Sequence, residues 1–160
     1  TEDVMIKRGA DRTCVFMLAE GLSSFLGRTL AGSRVTCAAA RLADFWQKRA
    51  PQKGTALFAD CRGGDIDVAV FTDGRLMLSA RREKVGESVN AFYFVMNFIS
   101  AAGAQPVDTQ VILSGDGIAD ELLAQCRDIT ASARRLDLPG NDNAPLAAIA
   151  CAYRKTASRL

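Results

Sequence analysis

The sequence predicts an α/β fold built on a mixed sheet, a three-stranded antiparallel meander continued by parallel strands and flanked by helices. Three observations predict it. Residues 55–81 read as an apolar run, a Gly63-Gly64 turn, an alternating run, an Asp73-Gly74 turn and a third run, the pattern of two successive hairpins. Residues 87–138 then alternate helical and strand patterns. Residues 14–48 do the same ahead of the meander, and such alternation implies parallel pairing through crossover connections.

Taken in order, residues 14–19 form a continuous apolar run suited to a buried strand. Residues 20–30 place Leu22, Phe25, Leu26 and Leu30 at helical spacing, stopped by Ala31 and Gly32. Residues 35–37 read as a second short strand. Residues 38–48 carry Leu42, Phe45 and Trp46 on one face, with Arg41, Lys48 and Arg49 toward the other, an amphipathic helix. A polar break holding Pro51 and Gly54 follows. In the middle run of the meander Ile66, Val68 and Val70 alternate with Asp67, Ala69 and Phe71, so both faces of that strand have something to bury.

Residues 87–102 spread Val89, Phe92, Tyr93, Val95, Met96 and Ile99 over most of a helix surface, which predicts a central, buried helix with Phe92 in the core. Gly103 ends it and Pro106 prevents its return. Residues 109–113 are a strand running into Ser114, Gly115, Asp116 and Gly117. A helix over 118–129 follows, apolar at Ile118, Leu122, Leu123 and Cys126. Residues 134–138 alternate as an edge strand, and a loop over 139–145 leads into a last helix over 146–153.

Composition narrows the chemistry. The 160 residues are 49% apolar and 24% charged with a formal net charge of +2, an ordinary globular balance with no general attraction to nucleic acid or anionic membrane. There is no histidine, which removes Ser-His-Asp and Cys-His catalysis and leaves carboxylates, Lys and Arg as proton-transfer groups near neutral pH. The five cysteines lie far apart and form no Cys-x-x-Cys pair, so no structural zinc site is expected. Cys14, Cys37, Cys126 and Cys151 sit in apolar runs and read as reduced core residues of a cytoplasmic protein. Cys61 stands apart beside Arg62 and a glycine turn, a setting that can lower a thiol pKa, although a reactive thiol is not the expected reading. No stretch approaches the roughly 20 apolar residues that cross a bilayer, and the first residues lack the basic start and apolar stretch of a signal peptide.

Three constellations carry candidate chemistry. The turn Asp60-Cys61-Arg62-Gly63-Gly64-Asp65 combines a carboxylate with glycines whose N–H groups are free to close on an anion. Its simpler reading is a solvent-facing hairpin turn. Ser114, Gly115, Asp116 and Gly117 join a strand to a helix, a place that needs small residues for geometry alone, and Asp116 there is suited to cap the helix. Asp60, Asp65 and Asp67 cluster as in a two-magnesium nuclease, but residues 146–153 contain no acid and Glu87 lies at its helix end, so nuclease chemistry is not expected. Residues 81–84 read as a solvated strand end.

Over residues 55–153 this element order and these two glycine motifs resemble one lobe of the ribonuclease H-like and actin-like ATPase superfamily. Residues 14–48 resemble the closing strand-helix-strand-helix of a preceding lobe. The chain looks most like an uncharacterised bacterial family with a degenerate actin-like fold, and more distantly like the actin-like protein of type IV pilus assembly. The resemblance implies that residues 1–50 are the C-terminal part of a first lobe and residues 55–160 a second, more complete one. It also implies that Asp60, Gly63 and Gly64 stand at a phosphate loop, and Ser114, Gly115 and Gly117 at an adenosine loop.

Both loops depart from the family pattern. Arg62 stands where a glycine is expected, Asp65 where a hydroxyl is expected, and Asp116 displaces the second adenosine-loop glycine. The opening meander of a first lobe, with its own phosphate loop, is also missing from these residues. The expectation is a protein-binding or assembly module without ATP turnover, with no catalytic residue, no metal and no cofactor, whose partner is another protein or a second copy. The alternative is an actin-like ATPase that takes ATP with magnesium once a further N-terminal segment completes its site.

Overall fold

A computed structural model of the chain describes residues 2–8, 13–32 and 35–138. The expected loop over 139–145, the helix over 146–153 and Cys151 lie outside the described residues. The chain divides into two compact units, Thr1–Ala40 and Arg41–Leu160, a division ahead of the polar break at Pro51.

In the smaller unit β1 (Glu2–Arg8) and β2 (Thr13–Ala19) pair as an antiparallel hairpin, followed by α1 (Leu22–Thr29). This corrects three expectations. Residues 14–19 do not pair in parallel through a crossover, because β1, a strand the sequence reading missed, lies directly beside β2. They are not a buried strand either. Their side chains alternate between exposed and half-buried, as a strand covered on one face does. Residues 35–37 form no strand. Val4 faces Met17 and Ile6 faces Val15 across the hairpin, and all four are exposed. Asp3 supplies the cap that α1 lacks of its own, accepting from Gly21 N–H at 3.1 Å and Ser23 Oγ at 2.7 Å.

The larger unit begins within α2 (Ala38–Gln47) and holds β3 (Thr55–Arg62), β4 (Asp65–Thr72) and β5 (Arg75–Arg82). It continues through α3 (Ser88–Ala101), a 3₁₀ turn (Pro106–Asp108), β6 (Thr109–Gly115), α4 (Gly117–Cys126) and β7 (Ser132–Arg135). The sheet order is β5-β4-β3-β6-β7, antiparallel through the meander and parallel from β3 to β7. This is the predicted mixed sheet. Both meander turns have two central residues with positive φ, Gly63 and Gly64 at 56° and 87° and Asp73 and Gly74 at 51° and 74°. That geometry matches the right-handed twist of the flanking strands.

Each face of the sheet has its own core. Leu57, Ala59, Ile66, Val68, Val70, Val111 and Leu113 pack with α3 and α4. On the other face Phe58, Ala69, Phe71 and Ile112 pack with Leu42, Phe45 and Trp46 of α2, and Trp46 stacks on Phe58 with ring centroids 6.0 Å apart. The edge strand is Ser132–Arg135 rather than the expected 134–138. Leu136 and Leu138 follow it as buried residues of the α2 core.

One further expectation changes. The helix over 87–102 is buried on one face only, through Ala91, Val95, Phe98 and Ile99, while Val89 and Tyr93 are exposed and Phe92 is half-buried at the core edge. The sheet flanks this helix on a single side, so the apolar residues around its circumference outnumber the positions the sheet can cover. Cys61 is buried on the α3 and α4 face, and desolvation first, then the Asp116 and Asp60 charges, push its thiol up to about 12. Its side chain points away from Arg62 because successive strand residues face opposite sides. Among the described residues no helix is long and apolar enough to cross a membrane.

Candidate functional site

Strand alternation builds an ionic cluster from the same face that α2 covers. Below it, Phe58 is flanked by Ala69 and Ile112; one rung up, the side chains turn polar across four strands. Arg81 pairs with Asp67, Asp67 with Asp60, and Asp60 with Ser114 in direct cross-strand register. A further rung holds Arg62 opposite Asp65. These rungs sit where the parallel strands β3 and β6 end together, the end of an α/β sheet at which ligands generally bind.

The charges of the cluster pair with one another. Ser114 Oγ donates to Asp60 Oδ1 at 2.6 Å, and Arg62 Nε lies 2.6 Å from Asp60 Oδ2. The same guanidinium reaches Asp67 Oδ2 through Nη2, so one cation spans two carboxylates that are 0% and 2% exposed. Arg81 adds bonds to Asp67 Oδ2 at 3.3 Å and Asp65 Oδ2 at 2.6 Å. Burial raises the Asp60 carboxyl above its ordinary range, against the Ser114 hydrogen bond and the Arg62 charge. Burial likewise raises Asp67, opposed by Arg62 and then Arg81. Asp65, at the rim, is lowered, chiefly by the Lys84 N–H that donates to it at 3.0 Å.

The two glycine motifs meet at this end of the sheet. Gly63 N–H donates to Asp116 Oδ2 at 2.6 Å, and Asp116 N–H donates to Cys61 O at 3.0 Å. Asp116 was expected to cap the following helix. Instead its carboxylate makes no cap bond and closes the meander turn. Gly115, at φ 105°, passes so near β3 that an added Cβ falls 1.9 Å from Cys61 O. Gly117 begins α4 and is exposed.

The structure thus brings together Asp60 with Ser114 and sets Gly63 and Gly64 beside the Gly115 turn. What sequence reasoning missed is how these groups are used. Arg62 takes the position a cation would need between Asp60 and Asp67, and among the described residues no three His, Cys, Asp or Glu side chains gather as a metal-holding group. The signal for Arg62 was present, since a two-residue turn at Gly63-Gly64 fixes Asp60 opposite Asp67. Arg81 was hidden by a bulge near Val70 and Phe71, which shifts the β4–β5 register.

The family profile described as "Protein of unknown function (DUF3822)" matches residues 6–128. Among solved structures, a Bacteroides thetaiotaomicron VPI-5482 crystal structure described as a protein with actin-like ATPase fold and unknown function is similar over 94% of this chain, with a TM-score of 0.78 and 15% sequence identity. The chain spans 58% of that protein's length. No curated protein matches the chain. The likeness, with the mixed sheet described above, shows an actin-like fold.

Proposed function

The chain belongs to that family of proteins of unknown function, and we propose that it uses a degenerate actin-like fold as a protein-binding or assembly module without ATP turnover. The observation that carries this reading is the occupied turn. A phosphate needs the N–H groups of a glycine turn free, and Gly63 N–H already serves the Asp116 carboxylate. A magnesium-bound water needs a free carboxylate. Asp60 is instead held by Ser114 and Arg62.

An incoming phosphate would have to displace Asp116 and approach Asp60, Asp65 and Asp67, whose like charge is unfavourable at short range. Arg62, the natural counter-charge, is already shared by two of them. Asp60, Gly63, Gly64, Ser114, Gly115 and Gly117 are accordingly read as parts of a closed scaffold rather than as nucleotide contacts. No catalytic residue or cofactor is assigned. We take residues 55–160 as a second lobe; α2, expected in the first, packs instead on the sheet of the larger unit. The partner-binding side of the proposal draws support from the exposed apolar row of Val4, Met17, Ile6 and Val15 on the hairpin. The described thiols suit a cytoplasmic setting.

Thermal melting with millimolar ATP and magnesium tests the reading. A ligand at 100 times its dissociation constant adds about 2.7 kcal/mol of stability, a readily seen upward shift. No shift and no phosphate release are expected. An upward shift with phosphate release would replace this reading with the ATPase alternative.

A further inference from the structure

The described cysteines fall into two kinds. Cys61 and Cys126 are fully buried, and burial pushes their thiols up to about 12 and about 11. Cys14 and Cys37 are only half-buried, and their Sγ atoms lie 3.2 Å apart. Cys14 is on β2 and Cys37 immediately precedes α2, so the contact joins residues 23 apart in sequence. Because a disulfide spans about 2.05 Å, the two sulfurs need to close by only about 1.2 Å to bond.

Among its described residues the smaller unit also has little interior. No residue of α1 is buried, and β2 alternates between exposed and half-buried side chains without one buried position. Two-stranded hairpins are marginal alone, and small units with little interior are commonly held by a covalent link. A thiol pair stands where such a link would act.

We propose that Cys14 and Cys37 form a reversible dithiol–disulfide site that clasps β2 to the segment ahead of α2 under oxidising conditions. The oxidant is a small disulfide such as oxidised glutathione. One cysteine thiolate attacks a glutathione sulfur, breaking the glutathione S–S bond and releasing one glutathione thiolate. The second cysteine, deprotonated by solvent, then attacks the mixed disulfide and releases the other glutathione. Two protein thiols are oxidised, one glutathione disulfide is reduced to two thiols, and the internal S–S bond is formed. The inference is independent of the nucleotide reading, since neither cysteine belongs to the ionic cluster.

Peptide mass mapping of the folded chain, alkylated after incubation in oxidised and reduced glutathione, tests it. The expected product is a Cys14–Cys37 linked peptide, two hydrogens lighter and reversed by dithiothreitol, while Cys61 and Cys126 take the alkyl label only after denaturation. In Cys14→Ser the glutathione adduct on Cys37 has no neighbour to resolve it, and its level should rise about tenfold over the unsubstituted chain. A persistent adduct on either cysteine of the unsubstituted chain overturns the proposal. So does a link that involves Cys151, or no modification of Cys14 and Cys37 at all.

Discussion

β2 and β3 both open on a threonine followed by an apolar run through phenylalanine, Thr13-Cys-Val-Phe-Met-Leu-Ala19 and Thr55-Ala-Leu-Phe-Ala-Asp-Cys-Arg62, yet they meet opposite fates. β3 has a strand on each side and a helical layer on each face, and its six inner residues are all buried. β2 has β1 on one side, and none of its residues is buried. An apolar run therefore specifies a strand, while burial depends on how many neighbours the topology provides.

The sharpest way to break that comparison is to truncate one side chain on each strand. Phe58→Ala removes a ring held between Trp46 and Phe71, whose centroids lie 6.0 and 5.7 Å away, and should lower stability by about 3 to 5 kcal/mol in urea denaturation. Met17→Ala, on the exposed face of β2, should stay within about 0.5 kcal/mol. A loss below about 1 kcal/mol for Phe58→Ala would mean that the α2 core is not packed as described.

A second pair separates glycines needed for closeness from glycines needed for a turn. Gly115→Ala places a methyl group 1.9 Å from Cys61 O at φ 105°, and should cost about 3 kcal/mol or more. Gly63→Ala meets open space and carries only the left-handed backbone penalty, about 1 to 2 kcal/mol. Equal losses in chemical denaturation would contradict the close approach of β3 and β6.

The smallest effect separates the buried carboxylates from the rim. Asp67 is raised, so it binds its proton more tightly in the folded state; its contribution is complete below the ordinary value of 3.8 and is lost as pH rises through the folded value. Asp65 is lowered. Its contribution is present above 3.8 and is lost as pH falls through the folded value. Measured from about pH 3 to 7, the stability of Asp67→Asn relative to the unsubstituted chain should improve with rising pH, and that of Asp65→Asn should improve with falling pH. Slopes of the same sign would overturn the assignment.

How much of this was legible in the sequence follows the range of the interactions. The meander was readable because its turns are local, each needing two residues that tolerate positive φ. Asp60 and Ser114 were named as site candidates through the resemblance alone, and their direct register follows from the parallel pairing of β3 with β6. The use of Asp116 was not readable, because its acceptor role depends on a turn 53 residues away, whereas the local rule for a residue ahead of a helix is capping. β1 was missed because Val4, Met5 and Ile6 form only a three-residue apolar run among charged residues. The over-assignment of α3 had the same origin as that of β2, counting apolar residues without knowing which faces find a neighbour.

The parallel pairing of β3 with β6 also sets an order of assembly. Each meander hairpin closes through a two-residue turn, whereas Asp60 and Ser114 meet across 54 residues, a loop whose closure entropy must be met before any contact forms. The meander therefore precedes its parallel neighbour. During that interval residues 56–61 of β3 present an unpaired edge, mostly apolar, of the kind to which other chains add strands. The chain most at risk of adding there is another copy of itself, caught before β6 has reached its place.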